Sequence, residues 1–185
     1  MKKKLKKTNV LLAVSGGIAA YKSCYLTRLL VKSGFSVKVM MTEAATKFVS
    51  PLTFQTLSTN HVYLDMFELI KEESTQHISL SKWADICVIA PASANTISKI
   101  AQGICDNLLS TVVSALDLKT KVIIASAMND CMWNNPLIQD NVKKLKRIKK
   151  YTILNPEKGQ LACGSYGEGR MPEPETIFKK IKSFL

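Results

Sequence analysis

Two kinds of apolar pattern alternate along the chain. Residues 9–14, 36–41, 85–90 and 121–126 are short runs with few polar breaks, the pattern of strands buried on both faces. Helical spacing fills the stretches between them. Ile18, Tyr21, Tyr25, Leu26, Leu29 and Leu30 fall on one helical face that Gly34 ends, and further helices are predicted over 51–57, 96–102, 107–116 and 136–146. Thr42 is placed to cap a helix after the second strand. A last strand is predicted at 151–154. Residues 175–185 close the chain as an amphipathic helix that buries Ile177, Phe178, Ile181 and Phe184 or Leu185. Strands alternating with helices predict an α/β fold, Rossmann-like, with a parallel sheet between two helical layers and ligands gathering beyond the carboxyl ends of the strands.

Residues 155–174 break this rhythm. They carry Gly159, Gly164, Gly167 and Gly169 together with Pro156, Pro172 and Pro174, and such a segment reads as a loop that serves as a functional flap. With 185 residues, 46% of them hydrophobic, the chain suffices for one core, so residues 1–185 are expected to form one domain.

The net charge of +12 would suggest a polyanionic partner if it were evenly spread. It is concentrated instead in three segments without acids, 1–7, 143–150 and 179–182, and elsewhere acids and bases nearly cancel. These read as solvated basic faces, and neither nucleic acid nor membrane is expected as a partner. No apolar run approaches the roughly 20 residues that span a bilayer, and the start lacks a signal-peptide pattern, which predicts a cytoplasmic protein. The five cysteines form no CxxC pair, which argues against a disulfide framework and against structural zinc.

Four places carry candidate chemistry. Ser15-Gly16-Gly17-Ile18 joins the first strand to the first helix, where free backbone amides attract phosphate; an ordinary turn is the plainer alternative. The GxGxxG pattern is incomplete, with Ser15 and Ala20 at the outer positions, and Thr42 rather than an acid ends the second strand, which favours a mononucleotide phosphate over a dinucleotide. Ser93 and Asn95, in the segment 91–96, either cap the next helix or line a ligand at the strand edge. Asn129, after Ala127 and Met128, holds the same edge one strand further on and can present its amide to a carboxylate or a flavin. Cys163 sits in the flap, whereas Cys24, Cys87 and Cys105 lie in or beside regular patterns where Cys acts as a small apolar residue. His61 and His77 are the only histidines, and position alone marks neither as a base.

Taken in order, residues 15–22 (SGGIAAYK), 91–96 (PASANT) with 103–109 (GICDNLL), 127–133 (AMNDCMW), and 161–164 (LACG) with 169–174 (GRMPEP) closely resemble the flavin-dependent cysteine decarboxylase family. One departure is visible: the family's Asn motif usually opens on Pro, where this chain has Ser126, and altered loop stiffness is expected there. The resemblance implies a flavodoxin-like, three-layer domain with a C-terminal substrate flap, which binds FMN at a subunit interface and assembles as a homo-oligomer, trimer or dodecamer. It implies that Ser15, Gly16, Gly17, Ile18 and Thr42 hold the cofactor's phosphate end, that Phe48 packs by its ring system, and that Ser93, Ala94, Asn95, Thr96 and Ala127 line the flavin. By the same resemblance His77 and Cys163 are catalytic, the latter as proton donor. Asn129 holds the substrate carboxylate, joined in substrate binding by Met128, Ala162, Gly164, Arg170 and Met171.

The coenzyme A branch of the family turns 4′-phosphopantothenoylcysteine into 4′-phosphopantetheine. It oxidises the thiol-bearing carbon to a thioaldehyde, loses CO2 to an enethiolate, and reduces that to the saturated thiol. The presence of Cys163 favours this branch over lantibiotic-type peptidyl-cysteine decarboxylases, which stop at the enethiol. Flavin prenyltransferases, which lack the His77, Asn129 and Cys163 set, and a non-catalytic regulatory relative rank lower. Some relatives carry a further ligase domain, and a chain ending at Leu185 is expected to leave that activity to a separate protein.

Overall fold

The computed structural model describes residues 7–67 and 75–185, so the Lys-rich start lies outside the described residues except for Lys7. Six parallel strands make the central sheet: β1 (Asn9–Val14), β2 (Ser36–Met41), β3 (Val62–Tyr63), β4 (Ile86–Ala92), β5 (Lys121–Ser126) and β6 (Tyr151–Leu154), in the order β3-β2-β1-β4-β5-β6. Without the two-residue edge strand β3 the remaining five run 2-1-3-4-5 in chain order, the flavodoxin order; either count puts the topological switch between β1 and β4.

Alternate residues of each strand feed two cores. Val10, Leu12 and Val14 of β1 pack with Leu26 and Leu30 of α1 (Ala20–Lys32), Phe54 of α3 (Pro51–Ser58) and Ile177 and Ile181 of α9 (Pro174–Lys182). Leu11 and Ala13 face the other layer, with Leu80 of α4 (Gln76–Trp83), Ile97 of α5 (Ala94–Gln102), Val112 of α6 (Leu108–Ala115) and Val142 and Leu145 of α8 (Pro136–Lys146). Two short helices, α2 (Glu43–Thr46) and α7 (Asp130–Trp133), stand at the carboxyl edge after β2 and β5. Lys143, Lys144 and Lys146 of one basic run and Lys179, Lys180 and Lys182 of another occupy the last turns of α8 and α9, where cations complement the helix dipole. Lys150, beyond α8, is buried, with Nζ donating to the Leu116 carbonyl at 3.3 Å.

Several expectations are corrected. The Gly-rich segment is a β-hairpin rather than a loop: β7 (Glu157–Gln160) pairs antiparallel with β8 (Tyr166–Arg170). Glycine suits these strands because no side chain fits. A Cβ on Gly167 would stand 2.6 Å from Asp130 Oδ2, and one on Gly169 would run into the Met128 carbonyl oxygen. On α1 the apolar face is split: Leu26 and Leu30 are buried, whereas Ile18, Tyr21 and Tyr25 are exposed. The inward face carries Ser23 and Thr27 instead, whose hydroxyls donate to the carbonyls of Ala90 and Ser23. Helix α4 and strand β3 escaped the periodic reading, and Cys105, expected among apolar surroundings, is exposed.

Candidate active site

A cavity of about 390 Å³ opens at the carboxyl edge between the β1–α1 turn, the ends of β4 and β5, and the hairpin. Its wall includes Gly17 and Ile18 from the first turn, Ala127, Met128 and Asn129 after β5, and Ala162, Cys163, Arg170 and Met171 from the hairpin.

The first turn is shaped by close contacts. Ser15 is buried, and its hydroxyl donates to the Pro91 carbonyl at 2.8 Å while accepting from the Ser93 amide at 2.9 Å, which ties β1 to the start of α5. A Cβ on Gly16 would lie 2.5 Å from the Ala44 Cβ, so only glycine lets α2 approach. Thr42 caps α2 by accepting from the Ala45 amide at 3.2 Å, and Phe48 is half exposed beyond it. Ala19 precedes α1 and gives it no side-chain cap, and the amides of Gly16, Gly17 and Ile18 find no protein acceptor among the described residues. Unpaired amides at the mouth of a 13-residue helix fit a phosphate.

Strand β4 runs on through Pro91 to Ala92, past a register shift beside β5. Ser93 then caps α5: its hydroxyl accepts from the Thr96 amide at 3.3 Å and donates to the Thr96 hydroxyl at 3.1 Å. Asn95, read from sequence as a possible cap, is the second residue of α5 and is exposed, while Ala94 and Thr96 are buried.

Asn129 has two duties. Its Oδ1 accepts from the Cys131 amide at 2.9 Å and caps α7, which leaves Nδ2 pointing at Cys163 Sγ, 3.5 Å away. Cys163 stands in the hairpin turn Leu161–Gly164, closed by the Gly164 amide donating to the Leu161 carbonyl at 2.9 Å with Gly164 at φ +88°, a left-handed conformation suited to glycine. The Ser165 hydroxyl lies 3.1 Å from Sγ. Hydrogen bonds from Ser165, side chain first and then backbone, with a smaller contribution from Asn129, hold the thiol pKa below its ordinary value. Cys87, by contrast, is pushed up to about 12 by burial.

His77 is placed elsewhere. It opens α4, half-buried in the helical layer on the other side of the sheet, and does not line the cavity. Sequence reasoning missed Lys22, Tyr21 and Gln160 as cavity residues. Tyr21 and Lys22 stood in the motif 15–22 without a site role of their own.

With this geometry in hand, comparison with known proteins is informative. The Flavoprotein family model matches residues 1–185, and the chain belongs to that family. It is 48% identical over 95% of its length to the coenzyme A biosynthesis bifunctional protein CoaBC of Bacillus subtilis, of which it spans 42%. It is 43% identical to a probable phosphopantothenoylcysteine decarboxylase of Streptococcus mutans, covering 95% of this chain and 98% of that one. Among solved structures it resembles a cysteine-to-serine PPC decarboxylase mutant complexed with pantothenoylaminoethenethiol, with a TM-score of 0.86, 36% identity, and 97% and 98% of the two chains covered.

Proposed function

We propose that this protein is the FMN-dependent carboxy-lyase that converts 4′-phosphopantothenoylcysteine into 4′-phosphopantetheine. The observation that carries the reading is the Asn129 amide and the Cys163 thiol, 3.5 Å apart in the wall of one cavity beside an uncapped helix start. Membership of the Flavoprotein family and the names of the relatives support it.

The amides of Gly16, Gly17 and Ile18, without a protein acceptor among the described residues, would hold the phosphate of FMN, and Ser93, Thr96 and Ala127 would lie along its ring system. Bound FMN supplies a hydride acceptor for the cysteinyl Cβ and later returns that hydride. The protein does the rest. Asn129, its orientation set by the cap bond to Cys131, donates Nδ2–H to the substrate carboxylate and holds the C–CO2 bond in place for cleavage once Cβ is oxidised. Loss of CO2 leaves an enethiolate, which takes a hydride and one proton to become the saturated thiolate; solvent protonates it after release. Cys163 gives that proton and becomes a thiolate, which hydrogen bonds from Ser165 and Asn129 stabilise. The hairpin covers the cavity and keeps water from the intermediate.

His77 acts from a neighbouring copy. Within one chain it sits on α4 and does not line the cavity that holds Cys163, and Ile18, Tyr21, Tyr25, Phe48 and Leu52 leave an exposed apolar surface on the first turn, α1 and the α2–α3 region, suited to a subunit contact.

Purified protein is expected to be yellow and to release CO2 and 4′-phosphopantetheine from 4′-phosphopantothenoylcysteine. In Cys163→Ser, oxidative decarboxylation proceeds while an enethiol accumulates. A colourless, inert wild type overturns the reading, and normal product from Cys163→Ser overturns the role of the thiol.

A further inference from the structure

The cavity wall contains two cations, Lys22 and Arg170, and no acidic side chain. Lys22 is 8% exposed, an unfavourable place for an ammonium group without a partner. Its Nζ lies 2.6 Å from Glu173 Oε1 and 3.3 Å from the Met171 carbonyl. The same carboxylate oxygen accepts from Arg170 Nη2 at 3.1 Å, and the Glu173 amide donates to Glu157 Oε1 at 3.4 Å. One carboxylate behind the wall therefore holds both cations in front of it.

Arg170 is further confined by Gly159 on the facing strand, where a Cβ would lie 2.7 Å from Arg170 Cδ. The guanidinium is thus laid along the base of the hairpin, with Cys163 at its tip. From Arg170 to Tyr166 is four strand steps, or about 14 Å at roughly 3.4 Å each. A ligand spanning the hairpin meets the thiol and Asn129 at one end and the cations at the other.

We propose that Arg170, positioned by Glu173 and Lys22, binds the phosphate ester at the far end of the substrate. The proposal rests on the decarboxylase reading, which supplies a substrate with cysteine at one end and phosphate at the other. FMN carries the same chemistry, but its phosphate is matched by the amides of the first turn, one helical turn before Lys22.

The test compares kcat/KM for 4′-phosphopantothenoylcysteine and for pantothenoylcysteine, which lacks the phosphate, in wild type, Arg170→Met, Arg170→Lys and Lys22→Met. Wild type should prefer the phosphorylated substrate. Arg170→Met should lose about tenfold to a hundredfold on it with little change on pantothenoylcysteine, the range for one charge-assisted contact. Arg170→Lys should recover part of the preference, and Lys22→Met should reduce it. A structural defect lowers both substrates together, and that result overturns the anchor, as does an undiminished preference in Arg170→Met. Affinities for FMN and riboflavin, measured by flavin fluorescence, separate the two phosphates: a fall in FMN-over-riboflavin selectivity with substrate selectivity intact overturns the proposal. Wild type inert toward both substrates overturns the decarboxylase reading, and the anchor with it; wild type active without preference overturns the anchor alone.

Discussion

Replacing Gly169 with alanine tests whether the hairpin is held down by backbone contact. The Met128 amide donates to the Gly169 carbonyl at 3.0 Å, and the added methyl would run into the Met128 carbonyl oxygen next to it. Neither partner is the free end of a side chain, so relief requires the hairpin to lift from the segment that carries Asn129. Over-packing of this kind costs about 1–3 kcal/mol, which for a chain of this size lowers Tm by roughly 2–10 °C. The lift also separates Asn129 from Cys163 and frees the turn, so the thiol titrates nearer its ordinary value. Two assays read the two consequences: thermal melting of the holoprotein, and the pH dependence of Cys163 alkylation by iodoacetamide in a background with the exposed Cys105 and Cys131 replaced. If Gly169→Ala melts like wild type and leaves the alkylation profile in place, backbone docking of the hairpin is wrong.

Ser165→Ala should raise the Cys163 pKa, because its main stabilising hydrogen bond is lost. On the proposed role the thiol form donates the proton and persists only below that pKa, so formation of reduced product should fall with rising pH in wild type, and the fall should move to higher pH in Ser165→Ala; a pH–rate profile for 4′-phosphopantetheine against enethiol shows it, and an unmoved profile rejects the assignment. The Ser126 hydroxyl is fully buried and finds no hydrogen-bond partner among the described residues. An unpaired buried hydroxyl costs about 1–3 kcal/mol, so Ser126→Ala should stabilise the protein by about 1 kcal/mol in urea unfolding after allowance for the lost volume, and destabilisation of that size would show that the hydroxyl has a partner.

The sheet was legible because strands buried on both faces need apolar residues at nearly every position, and that requirement is local. Four of the six strands follow from it, β6 being only partly buried, and Thr42, Ser93 and Asn129 were all placed at strand edges where they now cap helices. The hairpin was not legible. Gly159, Gly167 and Gly169 are there because Arg170, Asp130 and Met128 press against the strands, and such contacts leave no periodic trace. Helix α4 was hidden for a related reason: Gln76 and Ser81 are buried beside Leu80, so its inward face does not read as apolar. On α1 the apolar residues mislead in the opposite sense, since Ile18, Tyr21 and Tyr25 face outward and belong to a surface that one chain does not cover.

The same economy runs through the site itself. Asn129 uses one amide atom for the cap of α7 and offers the other to Cys163; Ser15 ties β1 to the Ser93 turn, and the neighbouring amides of Gly16 to Ile18 have no acceptor among the described residues. In each case a bond needed for folding fixes the direction of a group available for binding, so little rotamer freedom remains to be lost when a ligand arrives. The plain reading of these residues as caps and turns is therefore correct, and it is also the reason they can serve chemistry. Cys163 differs in kind. It is exposed on a hairpin turn, and its environment comes from Ser165 and Asn129, so the state of this thiol follows the docking of the hairpin. On the proposed function, the capping residues at the sheet edge place the substrate and the thiol on the hairpin delivers the proton.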